Sequence, residues 1–140
     1  MSRLLGLDVG EKRIGVAVCD ETQTLARPLL TLKRASKKED FARLAALCRE
    51  HAIEQVIVGL PKTLRGEEGP QAQRVRRYAI ELQAALNLPI DFWDERFSTA
   101  EARDLIIGHA LTRKNEIDAI AAAVILQDYL DGHNPRYAPI

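Results

Sequence analysis

The stretch Arg3-Leu-Leu-Gly-Leu-Asp-Val-Gly-Glu-Lys-Arg-Ile-Gly-Val-Ala-Val-Cys19 decides how the rest of the chain is read. Arg3 to Val9 is apolar enough for a strand, Gly10-Glu11-Lys12-Arg13 supplies turn residues, and Ile14 to Cys19 resumes as a second strand. The two form a hairpin. A polar turn over Asp20 to Thr24 then leads into a third extended run, Leu25 to Lys33, so the chain opens with three antiparallel strands.

Beyond that meander the period changes. Ser36 and Glu39 have capping-box spacing, and Phe41, Leu44, Ala45, Cys48 and Ala52 recur at helical intervals, which predicts an amphipathic helix. Gln55 to Leu60 reads as a strand buried on both faces. After a loop from Pro61 to Pro70, the stripe Ala72, Val75, Ala79, Leu82 and Leu86 marks a second helix, with Arg74 and Arg77 off the stripe. Pro89 to Asp94 is a further short strand, Ser98 and Glu101 open a third helix, and Glu116 to Leu130 supplies a fourth. The expected fold is therefore α/β, with a central mixed five-stranded sheet, three antiparallel strands followed by parallel βα units, flanked by helices.

A chain of 140 residues fits a single domain spanning 1–140, and 46% apolar with 29% charged residues excludes disordered, collagen-like and disulfide-dense classes. No apolar stretch reaches the roughly 20 residues of a membrane span and no signal-peptide pattern opens the chain, so no membrane partner and a cytoplasmic location are expected. Cys19 and Cys48 lie far apart without a zinc-type pattern and read as buried, reduced thiols. Twenty basic side chains balance twenty acidic ones, but unevenly. Residues 27 to 49 hold seven Lys or Arg against two acids and 62 to 77 hold five against two, whereas 91 to 104 carry five acids against two bases. That pattern is compatible with a phosphate-binding surface beside a cation-binding cleft, although a solvated charge mosaic is the more common source of such a pattern.

Three carboxylates stand out. Asp8 ends the first strand, and Gly10, two residues on, leaves room for ligand and backbone; an Asx-type turn is the competing explanation. Glu95 follows the last strand at the carboxyl edge where ligands of α/β sheets gather, and could instead pair with Arg96 or Arg103. Asp118 shares a helical stripe with Ala121, Ala122, Ile125 and Tyr129, so it points inward; with Asn115 as N-cap it could also serve the helix dipole. Together they are hard oxygen ligands suited to Mg²⁺ or Mn²⁺, and permit two-metal phosphodiester hydrolysis. Lys12, Arg13, Lys62, Arg65, Arg74, Arg77, Arg96 and Lys114 are candidate phosphate contacts.

Gly6 to Val18, Val-Gly-Leu-Pro at 58–61, Asp-Glu-Arg-Phe-Ser-Thr at 94–99 and Lys-Asn-Glu-Ile-Asp-Ala-Ile-Ala-Ala at 114–122 resemble, in order, the bacterial YqgF family, variously called Holliday junction resolvase and pre-16S rRNA nuclease. The resemblance implies an RNase H-like fold and a metal-dependent nuclease that processes the 5′ end of pre-16S rRNA in ribosome biogenesis. It places the family's catalytic, metal-binding acids on Asp8, Glu95 and Asp118. RNA, structured DNA and pre-ribosomal particles are the implied partners. Two positions depart from the family pattern: Arg65-Gly66 stands where Asp-Gly is usual, and Cys19-Asp20 where Ser-Asp is usual. Arg65 removes a carboxylate from that loop and adds a cation that could contact phosphate.

Three other functions compete with that one. A branched-DNA resolvase would use the same acids, and two flanking cuts on a symmetric junction would favour a homodimer, although no heptad or exposed apolar stripe decides the oligomeric state. A noncatalytic RNA-binding assembly factor would keep the fold without the chemistry. A phosphotransferase would need a second lobe to clamp nucleotide, and the chain has neither room for one nor a Gly-rich phosphate loop.

Overall fold

The computed structural model describes residues 3–95 and 117–133. Strands β1 (Arg3–Val9), β2 (Arg13–Cys19) and β3 (Ala26–Lys33) form the expected antiparallel meander. Helix α1 (Lys37–Glu50) leads to β4 (Ile53–Leu60), and α2 (Pro70–Leu86) to β5 (Ile90–Asp94). Helix α3 (Ile117–His133) follows. The sheet order is β3-β2-β1-β4-β5, with β4 parallel to β1 and β5 parallel to β4. Consequently the carboxyl ends of β1, β4 and β5 share one edge. The helix expected from Ser98 lies outside the described residues, as do Asn115, Arg96, Arg103 and Lys114.

Alternation along the strands separates two cores. Leu5, Leu7 and Val9 of β1 join Ile14, Val16, Val56 and Val58 on the face covered by α1 and α2, through Leu44, Cys48, Val75, Tyr78 and Leu82. The other face is cut from smaller residues. Leu4, Ala17, Cys19 and Ile57 meet Ala122, Ala123, Ile125 and Leu126 of α3 there.

That second face carries Gly6, Gly15 and Gly59, and their bareness sets how closely α3 approaches. A Cβ on Gly15 would fall 1.8 Å from the carbonyl oxygen of Asp118, and one on Gly6 would lie 2.8 Å from the Leu126 Cβ. At Gly59 it would meet Ile125 Cδ1 at 2.5 Å and Glu95 Oε1 at 2.7 Å. Helix backbone thus occupies the place of a side chain at Gly15, and side chains of α3 and Glu95 crowd that place at Gly6 and Gly59, which only glycine permits.

Helix α1 starts as its capping spacing predicts, with the Ser36 hydroxyl accepting from the Glu39 N–H at 3.1 Å. Its end does not follow the periodicity: Ala52 continues the apolar spacing but lies beyond the helix, exposed, at φ 53°. Two turn residues there reverse the chain into β4. Asp40, in the first turn of α1, is fully buried and accepts from the Ala35 N–H at 2.9 Å and from Arg43 at 3.0 Å, with Arg34 3.8 Å away. It ties the β3–α1 link to α1 and, through Tyr78 Oη at 3.4 Å, to α2. Cys19 and Cys48 are free and buried, and burial pushes the Cys48 thiol up to about 11. Among the described residues no helix is long and apolar enough to cross a membrane.

If the glycine rows seat α3, then Gly15→Ala should cost about 3 kcal/mol or more in urea denaturation, because neither backbone can yield without moving the helix. Gly69→Ala, whose Cβ would meet only Thr63 Cγ2 at 3.6 Å, should cost under about 1 kcal/mol. Equal losses at the two positions would contradict the seating.

Candidate active site

Asp8 stands on the α3 face of β1, half-buried, directly opposite Gly15 in the β1–β2 ladder. On its other side the parallel register sets Leu7 against Val58, so the next residue of β4, Gly59, flanks Asp8 as well. A carboxylate between two glycines has open space on both sides. Asp118 backbone fills one of these spaces, and the Glu95 side chain folds over the other, its Oε1 within reach of the missing Gly59 Cβ.

Gly10 admits backbone as expected: its N–H donates to the Arg13 carbonyl at 2.9 Å, and a Cβ there would lie 2.9 Å from that oxygen, while the clearance around Asp8 itself comes from Gly15 and Gly59. The sequence signal was present: a glycine inside a strand marks a bulge or a close approach, and both occur within otherwise apolar runs.

Glu95 follows β5 at the shared carboxyl edge, close enough to Asp8 for a carboxyl–carboxylate hydrogen bond when Glu95 carries a proton. Burial, the neighbouring Asp8 charge, that hydrogen bond and Asp94 together raise the Glu95 carboxyl from 4.5 to about 7. Burial and the charge of Asp118 likewise raise Asp8, while the bond from Glu95 works in the opposite direction. The pair behaves as one site that retains a proton which separated carboxyls would have lost.

Asp118, in the first turn of α3, is near enough to repel Asp8 but is engaged elsewhere: Arg13 Nε donates to its Oδ2 at 2.8 Å. The structure therefore brings Asp8 and Glu95 into contact and holds Asp118 beside them on an arginine. Among the described residues no three His, Cys, Asp or Glu side chains form a ready metal-binding group. The donor set nevertheless fits a hard cation. Two neighbouring carboxyls in a half-buried recess ionise together only at a cost that a shared proton or a bound cation relieves, and all their available atoms are oxygens.

The candidate phosphate contacts divide by environment. Lys12 and Arg65 are exposed in the loops after β1 and β4, and Lys62 is half-buried beside them. Arg13 is committed to Asp118, a pairing that its place in a hairpin turn did not reveal. Arg74 lies 3.7 Å from Glu11, and Arg77 is exposed and makes no ion pair among the described residues.

A five-stranded mixed sheet with acids at the shared carboxyl edge is the RNase H-like architecture of resolvase-type nucleases. RuvC of T. thermophilus in complex with a Holliday junction superposes with a TM-score of 0.62 at 16% identity, over 92% of this chain and 94% of that one. The fowlpox virus resolvase bound to Holliday junction DNA gives 0.56 at 15% identity, over 93% and 97%. The chain belongs to the RuvX family, described as Holliday junction resolvase, whose model matches residues 2–132. A relative from Thermoanaerobacter pseudethanolicus, named "Putative pre-16S rRNA nuclease", is 47% identical over 138 residues, covering 96% of this chain and 99% of its own. One of the same name from Syntrophus aciditrophicus is 41% identical over 140 residues, covering 98% and 93%.

The raised Glu95 carboxyl has a stability signature of definite sign. At low pH it is protonated in both states and costs nothing. As pH rises from about 4.5 the unfolded chain ionises first, and above about 7 the folded state must also bear the charge, so stability is lost across that window. In chelator, Glu95→Gln should therefore gain about 1–2 kcal/mol relative to wild type near pH 8, after allowance for partial exposure, and almost nothing near pH 4.5. A difference independent of pH would contradict the shared-proton geometry.

Proposed function

We propose that this chain is a divalent-cation-dependent nuclease whose catalytic acids are Asp8, Glu95 and Asp118. The observation that carries the reading is the contact between Asp8 and Glu95 in the recess between Gly15 and Gly59, at the strand edge of a RuvX-family fold. Mg²⁺ or Mn²⁺ held by these oxygens would supply Lewis-acid stabilisation of charge on the phosphoryl group and favour ionisation of an attacking water. The chain's own residues supply the rest. Asp8 is fixed by the central strand, so it offers a carboxylate of constant position. Burial and Asp8 favour a proton on the Glu95 carboxyl, which a cation held by these oxygens would displace. Arg13 orients Asp118 at the edge of the recess and neutralises it while the recess is unloaded. Lys12, Lys62 and Arg65 project from loops at the same strand edge, where backbone phosphates of a substrate would pass.

The names of the relatives favour RNA as substrate, in particular the 5′ leader of the 16S rRNA precursor, free or within a pre-ribosomal particle. A second reading, cleavage of a four-way DNA junction, is favoured by the family description and by the two junction-bound structures of similar fold. Both use the same acids, and the substrate alone separates them.

Cleavage of a labelled pre-16S 5′ leader, a generic single-stranded RNA and a four-way DNA junction should be compared for wild type, Asp8→Asn and Glu95→Gln. With Mg²⁺ or Mn²⁺ the wild type should cut at least one substrate, the two variants should be slower by about 100-fold or more, and chelator should abolish cutting. RNA bound but left intact by all three proteins would favour a noncatalytic assembly factor.

A further inference from the structure

A cavity of about 260 Å³ lies beside the end of β1, against Val9 and Gly10, on the sheet face opposite the carboxylates. Residues 8 and 9 project to opposite faces of the strand, so the cavity and the acidic recess are back to back across one strand end. Four cationic side chains line it: Arg34 from the β3–α1 link, Lys37 from the start of α1, and Arg74 and Arg77 from α2.

The cavity's shape is built rather than left to surface side chains. Arg34 donates to the Gly10 carbonyl at 2.9 Å, lies 3.8 Å from the buried Asp40 and covers the Tyr78 ring at 4.8 Å. Asp40 is shared with Arg43, so one carboxylate serves two arginines and leaves positive charge in excess. Lys37 meets Glu81 at 2.7 Å on an exposed flank. The single acid lining the cavity, Glu11, is 82% exposed at its side chain and 3.7 Å from Arg74. Pairs this open contribute little and are readily exchanged for a stronger anion. Cations gathered in a concave site from three segments raise the local potential, and a guanidinium fork matches phosphate oxygens.

We infer that this cavity binds a backbone phosphate of the nucleic-acid substrate away from the bond being cut, so that a strand crossing the end of β1 is held on both sheet faces. Its volume, below the roughly 300 Å³ of the smallest drug-like sites, suits one phosphate with its adjoining sugar. Binding there sets which phosphate reaches the carboxylates and adds affinity without entering the chemistry. The inference rests on the nuclease reading for its substrate class but on different residues for its evidence.

The test is binding of a labelled single-stranded RNA by fluorescence anisotropy in chelator, with salt varied, so that no cutting occurs and catalysis is not needed. Arg74→Ala/Arg77→Ala should weaken binding about tenfold and reduce the slope of log affinity against log salt by about 0.7–1.5, the loss of one to two phosphate contacts. The charge-matched control Arg27→Ala/Arg49→Ala, on exposed positions outside the cavity, should leave the slope as in wild type. An unchanged slope in the cavity variant, or an equal fall in the control, would overturn the proposal. Failure of the nuclease reading would show separately, as cutting that survives Asp8→Asn while the cavity variant still loses its salt dependence.

Discussion

The carbonyl of Asp118 occupies the space where a side chain on residue 15 would begin, and the rest of the site depends on that contact. Because Gly6, Gly15 and Gly59 present bare backbone on one face of three adjacent strands, α3 can lie almost on the sheet. Close seating carries the first turn of α3 to the strand edge and leaves Asp8 between two positions that have no side chains. The opposite face does the reverse. Its large aliphatic residues and the two helices over them make the sheet a firm base, so the acids are mounted on elements with little freedom to move.

A recess assembled in this way gathers negative charge in a setting where charge is costly. Its charge balance is met in two ways. Proximity to Asp8 favours a proton on Glu95, and Arg13 holds Asp118. Each arrangement is replaceable by a cation, since a carboxyl that titrates near 7 is displaced from its proton at small cost at physiological pH, and Arg13 is 64% exposed. The basic cavity on the far side of β1 complements the recess. One strand end thus separates a surface suited to phosphate from a cluster suited to the cation that would act on phosphate.

Sequence made the fold legible where local patterns were sufficient. Alternation and turn residues defined the meander, and continuous apolar runs marked β4 as an interior strand. Helical spacing found both α1 and α2 but overran the end of α1, because Ala52 satisfies the periodicity while its backbone has already turned into the left-handed region. The three acids were legible by position, each at the end of an element or on an inward stripe. Their relation was not. Contact between Asp8 and Glu95 depends on β4 separating their strands and on Gly59 leaving room, and no local pattern encodes that. Asp40 was missed for a similar reason: an acid in a first helical turn reads as a dipole partner, and only the packing of α2 shows that it is buried. The stripe from Asp118 to Tyr129 predicts one inward face for α3, whereas residues 122–130 are buried all round.

The most direct test of this account is to locate Mn²⁺ by anomalous diffraction from crystals of the wild-type protein grown or soaked with the ion. A peak bridging the carboxyl oxygens of Asp8 and Glu95, with Asp118 turned toward it and released from Arg13, is the predicted result. A peak elsewhere in crystals of active protein, with none beside the carboxyls of Asp8 and Glu95, would contradict the account.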